Sequence, residues 1–122
     1  MHGYALSFSF TFEATKLDHN GWVVDFGALK ELKQALFDMF DHKMLVAQDD
    51  PMLESIQDAQ WLHIADVNVV DAVGCEAFAK LGFDLADLLV TEKFPHAWVV
   101  SCTVSEHGAN SATFYRKEEQ RI

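Results

Sequence analysis

The stretch 21-GWVVDFGALKELKQALFDMFDHKML-45 sets the plan of the chain. Trp22, Val23 and Val24 are β-formers behind an Asn20-Gly21 turn signal, so a short returning strand is expected there. Asp25 then stands at an N-cap position, where its carboxylate can accept from orphan helix N–H groups. Leu29, Leu32, Leu36, Phe37 and Phe40 follow at helical spacing and give that helix one apolar face. It runs out into Asp41-His42, an acid beside an imidazole.

Upstream, Tyr4 to Glu13 alternates cleanly, with Tyr4, Leu6, Phe8, Phe10 and Phe12 on one side. That is a strand with one buried face. Asp18, Asn20 and Gly21 supply the turn that would return it as a hairpin through Trp22–Val24. Downstream, Leu45 to Gln60 is mixed, with a short helical pattern after Pro51. Trp61 to Val70 is β-branched but alternates poorly, and stays ambiguous. Cys75 to Leu89 reads as a second helix, with Cys75, Phe78, Ala79, Gly82, Leu85, Ala86 and Leu89 in one stripe. Ala97 to Glu106 alternates again: Trp98, Val100, Cys102 and Val104 on one face, Val99, Ser101, Thr103 and Ser105 on the other. A last strand is expected over Ala112 to Arg116. The order is α+β, with two helices packed on one face of an antiparallel sheet.

One domain is the natural count for 122 residues, and 50% apolar composition with ten Phe and three Trp supplies a core. A formal charge of −10 argues against a nucleic-acid surface and against a polybasic membrane anchor. No apolar run approaches the roughly 20 residues that span a bilayer. Cys75 and Cys102, without a CxxC, read as free thiols and favour the cytoplasm.

Three places could carry chemistry. Asp41-His42 is either a solvated pair at a helix exit or a carboxylate orienting a general acid–base imidazole. Glu106 continues the apolar row of its strand. Either the strand ends there and the side chain turns to water, or the carboxylate awaits two adjacent N–H donors, as a guanidine-like or aminopyrimidinone edge offers. His2 and Tyr4 share a strand face, the spacing of a zinc-binding pair, although Tyr is a rarer ligand. His19, His63, His96 and His107 read as surface residues, and both cysteines as core thiols.

HGYALSFSFTFEATKLDHNGWVVDFGALKELK, then DHKML, GCEAFAKL and VSEHGANSATF, resemble the 6-pyruvoyl-tetrahydropterin synthase / 6-carboxy-tetrahydropterin synthase family over nearly the whole chain. The resemblance implies the tunnelling fold, with subunits joining their sheets into a barrel as a homo-oligomer, typically a hexamer. It implies a cytoplasmic zinc-dependent lyase acting on 7,8-dihydroneopterin triphosphate, at sites between subunits. Carried over by position, Asp41 and His42 match the proton-relay pair, Glu106 the pterin anchor, Glu76 the acid of a Pro-Thr-x-Glu segment, and His2 a metal ligand. Val73-Gly74 stand in place of the Pro-Thr, and Tyr4 in place of the second His of His-Gly-His. The family's first strand, with its catalytic Cys and a further zinc ligand, is expected to be missing from this domain. The carboxy-forming activity of the queuosine precursor route is favoured. The pyruvoyl-forming activity and non-catalytic pterin or purine binding are the alternatives.

Overall fold

The computed structural model describes residues 6–40, 44–55, 57, 67–70, 73–106 and 110–117. Strand β1 covers Leu6–Ala14. A 3-10 turn over Phe26–Leu29 leads into helix α1, Lys30–Phe40. Short strands β2, Met44–Ala47, and β3, Val67–Val70, come next. Helix α2, Cys75–Lys93, leads into β4, Ala97–Glu106, and β5, Asn110–Tyr115.

The main sheet is antiparallel in the order β1-β4-β5, with both helices on one face. Phe8, Phe10 and Phe12 of β1 and Cys102 and Val104 of β4 point to that face, against Leu32, Phe78, Phe83 and Ala86. Fully buried side chains of this set such as Phe78 and Val104 contribute about 1.5–3 kcal/mol each. The other face is a hydroxyl surface built from Ser7, Ser9 and Thr11, Ser101, Thr103 and Ser105, and Ser111 and Thr113. Thr103 and Thr113 hydroxyls meet across it at 2.7 Å. The α+β plan with helices on one face of an antiparallel sheet is therefore present.

Helix α2 lies close against the sheet because Gly82 has no side chain. A Cβ there would stand 2.9 Å from Cys102 Sγ and 3.1 Å from Phe8 Cδ1. Arg116 fastens the far edge: its Nε donates to Val99 O at 2.8 Å, its Nη2 pairs with Asp87, and its guanidinium lies over the Phe83 ring at 5.2 Å.

Several expectations are corrected. Trp22–Val24 form no strand, and β1 pairs with β4 instead. Asp18 Oδ1 accepts from the Asn20 and Trp22 amides, which coils the segment into a tight loop; the same bonds hold the Asp18 carboxyl below its ordinary value. His96 is no surface residue: half-buried and edge-on to Phe94, it donates from Nε2 to Val23 O at 2.7 Å. The ambiguous 61–70 stretch contains β3, which pairs in parallel with β2 as a second, two-stranded sheet. The first helix begins as a 3-10 turn, with Asp25 Oδ1 accepting from Gly27 N at 2.9 Å, and the second extends to Lys93.

The face assignment of β4 is also corrected. The register shifts between Thr11 and Phe12, whose partners are Ser101 and Val99, so Val100 is an extra residue. A bulge of this kind reverses which side chains face inward beyond it. Val99 and Ala97 consequently enter the core, while Trp98 turns out and donates to Glu13 Oε1 at 3.2 Å.

Candidate functional site

Glu106 ends β4, opposite Leu6 on β1 and Asn110 on β5. It shares its face with Cys102 and Val104, toward the helices, and is half-buried. The row that predicted an inward carboxylate thus holds on this side of the bulge. The exit of α1 reaches the same end of the sheet. The Phe40 ring centroid lies 5.0 Å from that of Phe8 and 5.0 Å, edge-on, from that of Phe78. Phe40 is the residue before Asp41-His42. Asp41, His42 and Lys43 lie outside the described residues, as do His2 and Tyr4.

The start of α2 completes this end. Gly74 precedes the helix with φ +117°, a conformation that L side chains rarely adopt, and its carbonyl accepts from Phe78 N at 2.9 Å. No side chain caps the helix. Glu76 in the first turn is exposed, and Cys75 beside it is half-buried against the core. The Cys75 thiol is pushed above its ordinary value, first by burial, then by the carboxylates of Glu106 and Glu76. The last residue of α1, the start of α2 and Glu106 thus lie at one end of the sheet, with the Glu76 side chain exposed there. Cys75 and Cys102 are core thiols as read from sequence: Cys75 packs half-buried against the core cluster and Cys102 is fully buried. The short 94–96 turn makes α2 run antiparallel to β4, with its start over that strand's end.

Among the described residues no three His, Cys, Asp or Glu side chains gather closely enough to hold a metal ion. Among the same residues no helix is long and apolar enough to cross a membrane. At the opposite end of β1, the 17–26 loop exposes Leu17, Trp22 and Phe26, the last at 77%.

A helix-backed antiparallel sheet defines the class of fold, and a solved structure shares that fold. An uncharacterized protein from Wolinella succinogenes superposes with a TM-score of 0.83 over 95% of this chain and 79% of its own, at 19% identity. Residues 1–118 match the 6-pyruvoyl tetrahydropterin synthase family, and the chain belongs to it. The chain is also similar to the 6-carboxy-5,6,7,8-tetrahydropterin synthase of Rickettsia typhi, at 39% identity over 51 residues. That similarity spans 41% of this chain and 37% of the relative.

Proposed function

We propose that this protein is a pterin-binding lyase of the 6-carboxy-tetrahydropterin synthase kind, acting on 7,8-dihydroneopterin triphosphate. The observation that carries the reading is Glu106, turned toward the helices where α1 ends and α2 begins, in a chain of this family. A carboxylate there accepts from the two adjacent N–H groups of an aminopyrimidinone edge, a bidentate charge-assisted contact. That contact sets the ring's orientation. Asp41 and His42, which follow Phe40, are assigned the proton transfers: Asp41 orients the imidazole, and His42 accepts and returns the proton. Glu76 is assigned to the ring site as a second acid, and His2 to the metal, where zinc when bound would polarise side-chain oxygens. The carboxy-forming product is favoured by the name of the Rickettsia relative, with the pyruvoyl-forming reaction as the alternative; the queuosine precursor route is the role we assign to that product. Assembly into a homo-oligomer, a hexamer in the family pattern, is supported by β1 and β5 each pairing on one side only among the described residues. The uncovered hydroxyl face would line the resulting barrel, and the cytoplasm is the assigned location.

A second reading, pterin binding without turnover, is favoured by Tyr4 standing where the family has a metal-binding His. The test is a fluorescence titration with neopterin, beside elemental analysis and product assay. The parent protein should bind, and Glu106→Gln should bind about 10–100-fold more weakly, as expected when a contact of about 1.5–3 kcal/mol is lost. Zinc near one per chain together with turnover supports the lyase; binding without either supports the second reading. Equal neopterin affinity in parent and variant overturns the assignment of Glu106.

A further inference from the structure

Helix α1 reaches past the edge of the sheet that it covers. Helix α2 is centred on the middle strand. A Cβ on Gly82 would meet Cys102 of β4 at 2.9 Å and Phe8 of β1 at 3.1 Å, and the Phe83 ring meets that of Phe114 on β5 at 5.0 Å. α1 lies beside α2, joined through Phe40 on Phe78 and the 2.7 Å Lys93–Glu31 pair. Packed helices stand about 8–10 Å apart and neighbouring strands about 4.8 Å, so the α1 axis runs about 3–5 Å outside β1. A fourth strand would lie there, and among the described residues β1 pairs with β4 alone.

Burial shows the same shortfall. Phe8, Phe10 and Phe12 of β1 stay half-buried, while their partners Val104, Cys102 and Val99 on β4 are fully buried. On α1, Glu31 turns to α2; Lys33 and, one turn on, Phe37 lie on the opposite flank, because successive helical residues are about 100° apart. Phe37 is 49% exposed, and Lys33 has no ion pair among the described residues. β1 runs for 9 residues with no proline and, before Glu13, no charge. A long apolar edge of that kind is one that folded proteins cover.

We propose that the groove between the free edge of β1 and the underside of α1 binds one bare extended segment of another polypeptide, which joins the sheet as a fourth strand with apolar side chains at alternate positions. The occupant has to be bare. Were a second copy to set its β5 against β1, its α2 would come within about 5 Å of α1, closer than helices pack. A second copy's β1 would bring its own overhanging α1 into the same space. A strand without a helix layer fits. Its inner side chains lie under α1 against Phe10, Phe12 and Phe37, its outer ones continue the row of Ser7, Ser9 and Thr11, and acidic residues suit the Lys33 flank. Once it is seated, a further copy's α2 would stand about 10 Å from α1, so the strand also opens the way to the oligomer proposed above. The inference does not depend on the pterin reading.

The test is fluorescence anisotropy of the labelled peptide Glu-Val-Thr-Val-Thr-Val-Thr-Val-Glu, as long as β1, titrated with the full chain, beside amide hydrogen exchange and sedimentation. The peptide should bind, and a version with proline at its centre should not, since it cannot complete the ladder. Exchange over residues 6–14 should slow about tenfold or more with the peptide bound, while β4 is unchanged. Phe37→Glu should weaken binding about tenfold with an unaltered circular dichroism spectrum, because the side chain is on the surface. No binding, or binding with unchanged exchange over residues 6–14, overturns the inference. So does a free chain in which residues 6–14 already exchange as slowly as β4, whether a second copy seen by sedimentation or the chain's own residues cover the edge. Equal affinity for the proline version shows adhesion without strand addition and overturns it as well.

Discussion

Replacing Gly82 by alanine tests the closest approach in the fold. The added methyl would stand 2.9 Å from Cys102 Sγ and 3.1 and 3.2 Å from two Phe8 ring carbons. Cys102 is fully buried, so the sulfur has little room to retreat, and Phe8 is held in turn by Phe40. Overpacking of this kind costs about 1–3 kcal/mol. Against it, alanine favours the helix over glycine by about 1 kcal/mol. The expected net effect is a loss on the order of 1 kcal/mol. For a domain of this size that lowers the melting temperature by roughly 3–6 °C, read by thermal denaturation with circular dichroism. A double-mutant cycle isolates the contact: in a Cys102→Ala background the Gly82→Ala penalty should shrink by about 0.5 kcal/mol or more, a coupling of the size contacting residues show. A Gly82→Ala protein as stable as its parent, or equal penalties in both backgrounds, would refute the close-approach argument.

Other outcomes follow from the same structure. Arg116→Ala should cost about 1.5–3 kcal/mol in urea denaturation, because Asp87 and the Val99 carbonyl both lose a charged donor. Asp87→Asn should cost less, since Asp87 is more exposed and Arg116 keeps its other contacts. Burial pushes the Cys102 thiol up to about 12, against an ordinary value of 9.0. A group whose folded value is raised adds stability below the unfolded value and loses it above. Stability should therefore fall between pH 9 and 12, and Cys102→Ala should flatten that limb in melts taken across the range.

Periodicity found the strands and helices that bury one face over many residues. Leu6–Ala14 and Ala97–Glu106 alternate because one side of each meets the helices, and Cys75–Lys93 carries a stripe because it lies on the sheet. It failed where hydrogen bonding decides. Trp22–Val24 have β-forming side chains, but the Asp18 carboxylate captures the local amides and His96 takes the Val23 carbonyl. Strand β3 was hidden because four residues in a parallel pair need not alternate. At the candidate site, Glu106 was legible as a carboxylate in an apolar row. The α2 start beside it was not, because a stripe says which face of a helix is buried and not which end of the sheet each turn meets. The antiparallel return of α2 into β4 decides that.

The extra residue at Val100 divides β4 into two stretches whose inside and outside are set independently. From Ser101 onward the pattern serves Glu106; before it, the pattern serves the packing of Val99 and Ala97 and the loop beyond. A one-residue change of length where the 94–96 turn enters β4 would be taken up by moving or erasing the bulge, with the face of Glu106 unchanged. The strand behaves as two gears on one shaft with a clutch between them, so the loop end can drift in length while the ring-binding end keeps its aim.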